Sequence, residues 1–333
     1  MAKLTATEIE TLAFDALLGA GTNETSARSM ARAAAAAEID GIRSHGLVYI
    51  PIYCEHVKCG KVIGDAKPEV KQTAASSIHV NANSGFAHPA IDAGFEKLIP
   101  TAKENGIAAL GIYNSYNCGV LAYHAETLAK EGLVALCFTN APASIAPVGG
   151  KKPVIGTNPY SLAIPGEDGD AAFVIDQSAS VIAKSEINLH AREDKPIPEG
   201  WAFDAEGNPT TDPHAALKGS MAPSGGYKGF GNGLMVEVFA AALSGAFLGK
   251  DASPFAGTAG GPPKTGQFFI AISPQHFSGE LFAERVKDLC TAITDQDGAR
   301  LPGSRRKNNR IENQDDGVEV SDDLIEKIKS FNT

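Results

Sequence analysis

The sequence predicts an α/β fold whose N-terminal part is helical. In the first ~65 residues, apolar side chains recur at helical spacing. From residue 78 onward, short β-rich runs alternate with helical ones, which is typical of an α/β unit. The chain has 333 residues, 43% of them hydrophobic, and can therefore bury a large core that normally divides into two packed units.

Capping signals predict the helices of the N-terminal part. Thr5 followed by Glu8 is a capping-box pattern, and apolar residues at helical spacing follow it. A second helix is predicted from residue 23 to residue 39, because Gly41 then allows the left-handed conformation that ends helices. A third helix is predicted over residues 46–58. This part of the chain is therefore expected to be all-helical.

The central part is predicted to alternate strands and helices. The predicted strands are residues 78–81, 107–113, 133–139, 160–164, 173–176 and 267–272, and the predicted helices are 87–105, 119–130, 279–293 and 321–331. Residues 194–226 are rich in Pro, Gly, Asp and Thr without a sustained period, so a long surface excursion is expected there. The last helix is expected to pack back against the N-terminal helices.

Composition excludes several classes of partner. The net charge of −10 argues against nucleic acid and against an anionic membrane surface, because both select clustered Lys and Arg. The most apolar stretch, residues 234–248, is shorter than a membrane span of about 20 residues and contains Glu237, so a buried core helix is predicted instead. The chain lacks an apolar N-terminal signal region, and its cysteines are odd in number and scattered. A cytoplasmic protein is expected.

Two segments are candidate anion sites. The glycine-rich run 225–233 leads directly into the apolar helix, where backbone amides and Lys228 could hold a phosphate. The alternative is a tight turn that needs its glycines only for geometry. In the segment 300–306, three arginines flank a turn, and the alternative there is a set of solvated side chains. No Gly-x-Gly-x-x-Gly turn of the Rossmann type is present.

A metal site is considered and not predicted. Cys54, Glu55, His56 and Cys59 carry the side chains that bind zinc. On a helix, however, the two cysteines lie five residues apart on different faces, and no second ligand pair follows.

His45 and Asp176 are the candidate proton-handling residues. Ser44-His45-Gly46 lies at a corner between two predicted helices, where small neighbours could admit a ligand. Asp176 closes an apolar strand, a position from which a carboxylate could orient an imidazole. Histidines at helix starts are also common as caps or surface residues, and strand-end aspartates are also common as helix caps.

Taken in order, the motifs identify a family. They are Ser44-His45-Gly46 with Pro51 and Tyr53 downstream, Gly85-Phe86-Ala87, Asn114-Ser115, Pro153 with Gly156-Thr157-Asn158-Pro159, Asp176, Pro209-Thr210-Thr211-Asp212-Pro213, Gly225-Gly226-Tyr227-Lys228-Gly229, and Leu301-Pro302-Gly303 with its arginines. In this order and spacing, nearly the whole chain resembles the malate/L-lactate dehydrogenases of the second type. That family includes sulfolactate, ureidoglycolate and 2,3-diketogulonate enzymes and the Δ1-piperideine-2-carboxylate/Δ1-pyrroline-2-carboxylate reductases.

The resemblance implies a fold and an assembly. It implies a homodimer whose subunits have a helical domain built from both termini and a mixed nucleotide-binding sheet that is not of the Rossmann type. We expect residues 1–75 to form the N-terminal part of the helical domain and residues 76–275 to form the central α/β cofactor-binding domain. Residues 276–333 are expected to be a C-terminal segment that packs back on the helical domain.

The resemblance also implies site residues. Ser44, His45 and Asp176 are expected to form a proton relay, and Thr157 is expected to touch the substrate. The cofactor, NADP or NAD, is expected to contact four regions: Asn117, Cys118, Gly119, Val120 and Leu121; the strand end at Asp176; Tyr227 and Lys228; and Arg300, Pro302, Gly303, Arg305 and Arg306. Arg305 and Arg306 could receive a 2′-phosphate or pair with the pyrophosphate, and we favour NADP.

Two positions depart from the family pattern. Relatives carry an arginine soon after Ser-His-Gly that we take as the anchor of the substrate carboxylate, and Tyr49 stands there in this chain. Arg43 or an arginine of a partner subunit could substitute. At Asn117 relatives commonly have a histidine, and an asparagine cannot exchange protons at neutral pH.

Three functions are weighed. The leading one is an NAD(P)-dependent oxidoreductase acting on a small 2-oxo or 2-hydroxy carboxylate. Its rival is a reductase of cyclic 2-imino acids, favoured by resemblance in residues 178–229 and by the easier protonation of an imine. A nucleotide-binding protein that has lost turnover is the third, because of the two departures.

Overall fold

The chain folds into helices and strands whose bounds follow closely from the sequence pattern. The computed structural model describes residues 1–332, apart from the side chain of Asp315. The helices are α1 Ala6–Gly19, α2 Glu24–Ile39, α3 Ile50–Lys58, α4 Ala87–Asn105, α5 Leu121–Lys130, α6 Lys184–Arg192, α7 Pro213–Lys218, α8 Tyr227–Glu237, α9 Leu281–Thr294, α10 Ser304–Asp316 and α11 Asp322–Lys329. The strands are β1 Ala2–Leu4, β2 Glu69–Ala74, β3 Ser77–Asn81, β4 Ile107–Ser115, β5 Val134–Thr139, β6 Tyr160–Pro165, β7 Ala171–Gln177, β8 Ala202–Phe203, β9 Pro209–Thr210, β10 Ser220–Met221, β11 Thr265–Ile272 and β12 Val318–Val320.

A seven-stranded mixed sheet forms the centre of the molecule. Its strand order is β2-β3-β4-β11-β5-β6-β7. The β3–β4 pair is parallel, and the other neighbours are antiparallel. The predicted mixed α/β fold is confirmed. Strand β2 was not predicted, because every residue of this edge strand is exposed and no apolar alternation marks it.

The sheet carries apolar packing on both faces. On one face, α4 and α5 bury their apolar sides against the strands, with the Phe95 and Phe269 rings edge to face at a centroid distance of 5.1 Å. On the other face, Phe239 stacks on Phe138 at 4.8 Å. Phe239 belongs to a π-helical segment, Val238–Leu243, that directly continues α8. The sheet is therefore the middle layer of three.

The two ends of the chain meet in a second apolar core. Ile325 and Ile328 of α11 are buried in one cluster with Ile9 and Leu17 of α1, which confirms the predicted packing of the last helix. The capping box of Thr5 and Glu8 is also confirmed. The expectation of an all-helical N-terminal part was wrong at β1, which pairs with β12. Its partner lies far away in the sequence, so no local pattern signals the pairing.

The segment 194–226 has more structure than predicted. It contains α7 and a small sheet of order β10-β8-β9. Ile197, Ala202 and Met221 are buried in an apolar cluster of their own. The expectation of a long surface excursion was therefore only partly right, because these apolar residues are too irregularly spaced to show a period.

The predicted buried helix over residues 234–248 was also partly wrong. The α-helix ends at Glu237, and one side of the segment is exposed. Val236, Ala240 and Ala241 are buried, whereas Leu234, Met235, Val238 and Leu243 are 40% to 60% exposed. Composition alone does not reveal which side of an apolar helix faces solvent. Within residues 1–332, no helix is long and apolar enough to cross a membrane.

Candidate active site

The corner that carries His45 is fixed by a buried carboxylate. After α2, the chain makes two 3₁₀ turns, Arg43–His45 and Leu47–Tyr49. Glu38 Oε1 accepts the Leu47 N–H at 2.7 Å. A Cβ atom on Gly46 would lie 2.2 Å from the same oxygen, so only glycine fits. The small residue in Ser-His-Gly is therefore required by the packing of Glu38.

His45 presents a neutral imidazole. Burial lowers the pKa of its ring from the usual 6.5. Its Nδ1 atom is buried without a hydrogen-bond partner among the described residues. Arg43 and Ser44, the two residues before His45, are exposed. A buried nitrogen without a partner is costly, and such a group is typical of a ligand site.

A row of aromatic rings joins this corner to the turn that starts at Asn117. The His45 and Tyr49 ring centroids lie 5.7 Å apart, and those of Tyr49 and Tyr53 lie 5.4 Å apart. Tyr53 packs edge to face on Tyr116 at 6.0 Å. Tyr49, the residue at the position where the resemblance implies an arginine, therefore lies directly beside the histidine.

The turn from Asn117 to Leu121 is tightly held. Asn117 Oδ1 accepts the Gly119 N–H at 2.6 Å, and Gly119 has a φ of 64°. A Cβ atom on Gly119 would lie 3.2 Å from His88 Nε2. Cys118 is buried, and burial raises the pKa of its thiol to about 12. Its side chain is therefore an unreactive thiol, and backbone atoms are what the turn can offer a ligand.

Asp176 lies at the end of β7, beside the start of α5. Its Oδ2 accepts the Ala122 N–H at 2.9 Å, which is the helix-cap role that the sequence left open. Burial raises the pKa of this carboxyl to about 6. In the part of the chain that the structure describes, Asp176 and His45 share no hydrogen bond.

The arginine-rich segment docks on the same strand. Pro302 O accepts the Val174 N–H at 3.1 Å, and a Cβ atom on Gly303 would lie 3.1 Å from Val174 O. The structure thus brings together three of the four predicted cofactor regions: the turn 117–121, the end of β7 and the segment 300–306. Sequence spacing does not reveal this proximity.

Arg306 takes part in an ion-pair network that the sequence did not reveal. It bonds to Glu126 and lies 3.5 Å from Asp40 Oδ2, and its side chain is only 10% exposed. Arg310 bonds to both Asp40 oxygens, at 2.7 and 2.9 Å. The network links α10 with α2 and α5. Arg300 and Arg305 are exposed, so they are the arginines of this segment that remain accessible.

The fourth predicted region is the start of α8. A Cβ atom on Gly233 would lie 2.8 Å from Ala179 Cβ, so the helix packs on the chain leaving β7. Thr157 O accepts the Ala179 N–H at 2.8 Å, which places Thr157 at this contact. Tyr227 is 69% exposed, and Lys228 follows it.

Two buried histidines near the turn were missed by the sequence reasoning. His88 is 2% exposed, and its Nδ1 has no partner among the described residues. Burial and the neighbouring rings of His124 and His45 hold the pKa of His88 well below its usual value. The sequence spacing of His88 and His124 does not indicate that they meet, because His88 lies in α4 and His124 lies in α5.

Cys54, His56 and Cys59, which carry side chains of the kind that binds zinc, have other partners in the structure. His56 bonds to Tyr116 and to Gly257 O, and Cys54 Sγ lies 3.4 Å from Ala16 O. Among residues 1–332, no group of three or more His, Cys, Asp and Glu side chains could hold a metal ion.

The geometry fits a dinucleotide. The N-cap residues of α8 and α10, Gly226 and Gly303, provide no side-chain cap, so most amides of the first turns are available to phosphates. The unpartnered nitrogens of His45 and His88 add polar groups near the turn. The family model described as malate/L-lactate dehydrogenase matches residues 4–329. The chain belongs to this family. It is an NAD(P)-dependent oxidoreductase.

Relatives of known activity cover almost the whole chain. The (2R)-3-sulfolactate dehydrogenase (NADP(+)) of Chromohalobacter salexigens is 43% identical, over 97% of this chain and 96% of the relative. The Δ(1)-pyrroline-2-carboxylate reductase of Ancylobacter novellus is 37% identical, over 99% of this chain and 97% of the relative. Malate/L-lactate dehydrogenase family members thus include both hydroxy-acid and cyclic-imine enzymes.

Solved structures of family members share the fold of this chain. The Δ1-piperideine-2-carboxylate reductase of Pseudomonas syringae superimposes with a TM-score of 0.94 at 32% identity, covering 99% of this chain and 100% of the other. The sulfolactate dehydrogenase of Methanocaldococcus jannaschii gives a TM-score of 0.89 at 28% identity, covering 99% and 96%. The fold predicted from the family resemblance is confirmed.

Proposed function

We propose that this family member interconverts a small 2-hydroxy acid and its 2-oxo acid, with NADP as the preferred cofactor. One observation carries the proposal. His45 has a lowered pKa and a nitrogen without a hydrogen-bond partner, and it lies near the turn 117–121, which is expected to contact the cofactor. A neutral imidazole is the base that oxidation of a hydroxyl needs. The 43% identity to a sulfolactate dehydrogenase supports the same direction.

The reaction follows from these groups. His45 accepts the hydroxyl proton while the C2–H bond breaks and its electron pair leaves as hydride. The nicotinamide, when bound, supplies the acceptor for that hydride. In reduction, the protonated His45 returns its proton to the carbonyl oxygen. Asn117 donates hydrogen bonds but moves no proton, so His45 alone handles the proton at neutral pH.

The substrate carboxylate needs an anchor at this corner. We propose that Tyr49 donates its hydroxyl to one carboxylate oxygen and that Thr157 contacts the other end of the substrate. Arg43 is exposed next to Ser44 and supplies positive charge. A phenol binds a carboxylate more weakly than a bidentate guanidinium does, so weak binding of simple oxo acids is expected.

The second candidate is the reduction of cyclic 2-imino acids. Asn117 favours it, because a protonated imine arrives with its own proton and needs no second histidine. The likeness to Δ1-piperideine-2-carboxylate reductase also supports it. Burial of His45 would then serve to exclude water rather than to move a proton.

A substrate panel separates the candidates. Purified protein is assayed by nicotinamide absorbance with NADPH and with NADH, against pyruvate, oxaloacetate, sulfopyruvate and the two cyclic imines. Faster turnover of an oxo acid supports the proposal, and faster turnover of an imine supports the second candidate. If none of the five compounds is turned over although NADPH still binds, the protein binds the nucleotide without turnover.

We propose that Arg300 and Arg305 give the protein its preference for NADP. Both are exposed beside the start of α10, where a 2′-phosphate could reach them. The named cofactor of the sulfolactate dehydrogenase relative supports this choice. Changing both arginines to Ser should raise the Kd for NADPH about tenfold or more and leave that for NADH unchanged.

We also propose a homodimer and a cytoplasmic location. The exposed apolar side chains of α8 and the π-helical segment support self-association, because soluble monomers rarely expose such a row. The five cysteines all carry free thiols, which suits a reducing compartment. Light scattering of the purified protein and fractionation of cells test the two proposals.

A further inference from the structure

Lys61 has a fully buried side chain that points into a loop. Its relative exposure is 0%, although lysine is almost never fully buried without a partner. The Nζ atom lies 2.8 Å from Gly257 O, 2.9 Å from Ala259 O and 3.5 Å from Ala256 O. These carbonyls belong to the loop between the π-helical segment and β11.

The arrangement is satisfied best by a charged ammonium group, although burial lowers the pKa of Lys61. Three carbonyl oxygens can only accept hydrogen bonds, and a neutral amine has two N–H donors whereas an ammonium has three. No salt bridge involves Lys61 among the described residues, so the carbonyl dipoles are what compensates its charge. The three carbonyls therefore form a small cation site whose occupant is a side chain.

The same loop is connected to the cofactor turn through His56 and Tyr116. Gly257 O accepts from His56 Nε2 at 2.9 Å as well as from Lys61. His56 Nε2 must carry the proton, so His56 Nδ1 is the acceptor for the hydroxyl of Tyr116. His56 and Tyr116 are each 1% exposed, and Tyr116 immediately precedes Asn117. Phe255, at the start of the loop, packs on the Tyr116 ring at 5.5 Å.

We propose that Lys61 is a positioning residue for the reaction. Its ammonium group fills the carbonyl cation site of the loop 256–259 and, through His56 and Tyr116, fixes the turn at Asn117 that holds the nicotinamide cofactor. The inference rests on the proposed cofactor role of that turn. Without the ammonium group, the carbonyl oxygens repel one another, and the loop and Tyr116 lose their fixed positions.

The test is removal of the side chain followed by replacement of the cation. In Lys61→Ala, the Kd for NADPH, measured by nicotinamide fluorescence, should rise about tenfold or more. Added ammonium or methylammonium should restore the affinity, because the truncated side chain leaves space for it, and tetramethylammonium should not. Lys61→Met fills the space without charge, so it should bind NADPH weakly and show no rescue.

Lys67→Met is the matched control, because Lys67 is exposed and its side chain makes no hydrogen bond or salt bridge among the described residues. Near wild-type NADPH affinity in Lys61→Ala, or equal weakening by Lys67→Met, would overturn the proposal. If Lys61→Ala folds poorly, Tyr116→Phe tests the same connection while keeping the ring. Because NADPH binding is measured without substrate, failure of the proposed substrate class would leave this result unaffected.

Discussion

His45 shows how burial sets the state of one side chain. Its neutral ring is a consequence of desolvation, which disfavours the charged form. A neutral imidazole at neutral pH is ready to accept a proton. The role proposed for His45 thus depends on the packing of its corner as much as on its residue type.

Replacing His45 by Asn should lower kcat for hydroxy-acid oxidation by about 10²- to 10⁴-fold while leaving the Kd for NADPH near wild type. In the wild type, the oxidation rate should fall as the pH drops through the pKa of His45, because the base becomes protonated. That acid limb should lie below 6.5, the usual value. The pH profile of kcat/KM checks this, with exposed His214→Asn as the control. An acid limb unchanged in His45→Asn would assign it to another group.

Tyr49 stands at the position where the family resemblance implies an arginine. Tyr49→Arg should lower the KM for a 2-oxo acid about tenfold, because a bidentate, charge-assisted contact replaces a single hydroxyl. The kcat should change little. Val48→Arg adds the same charge at a neighbouring exposed position and should have no such effect. If both variants bind equally well, simple electrostatic attraction is sufficient.

At the scale of elements, the burial of the Asp176 carboxylate where β7 meets α5 lowers the stability of the folded state. Asp176 is buried, and its pKa is raised from 3.8 to about 6. Between these values the folded state holds more protons than the unfolded state, so stability falls as pH rises through this window. Below pH 3.8 the cost is absent, and above pH 6 it is fully present.

Asp176→Asn should therefore stabilise the protein above pH 6 by up to about 3 kcal/mol, since one pKa unit corresponds to about 1.4 kcal/mol. The amide oxygen can still accept the Ala122 N–H. The gain should shrink as the pH falls from 6 towards 4. Urea unfolding at pH 8 and pH 4.5 measures it, with exposed Asp297→Asn as the control. A gain independent of pH would mean that burial does not raise the pKa of Asp176 in the folded state. If Asp176 takes part in the proton relay that the family resemblance implies, turnover should fall at the same time.

The elements were predictable to different degrees. The predicted bounds of α4 were right to the residue, because Gly106 ends it in the left-handed conformation. Helix α10 was not predicted, because its sequence is polar except for the exposed Ile311 and it is held by Arg306 and Arg310. Short-range patterns thus identify elements that bury a regular stripe, and they miss elements held by ion pairs.

At the scale of the whole molecule, the proposed homodimer depends on the exposed side of α8 and of the π-helical segment that continues it. Val238→Glu should shift the protein towards monomer, because Val238 is 52% exposed at the middle of that apolar row. Analytical ultracentrifugation measures the shift. Val181→Glu, at a 45% exposed position elsewhere, is the control. A wild type that is monomeric at micromolar concentration would contradict the dimer.

The division of the chain at residues 75 and 275 stays a proposal. The pairing of β1 with β12 and the packing of α11 on α1 support a helical unit built from both termini. Limited proteolysis should then cut first near these two positions. Residue 75 lies in the turn between β2 and β3, and first cleavage away from both positions would argue against the division.

The sequence by itself determined the family, the order of the main strands and helices, and the residue types available for proton transfer. It could do so because these features depend on local periodicity, on capping residues and on motifs in a fixed order. Only the tertiary structure decided that the turn 117–121, Asp176 and the segment 300–306 meet, and that His88 lies beneath Gly119. It also decided that Lys61 bonds to loop carbonyls that lie 195 to 198 residues further along the chain. Such contacts join elements that are distant in sequence, so burial and charge compensation appear only once the chain has folded.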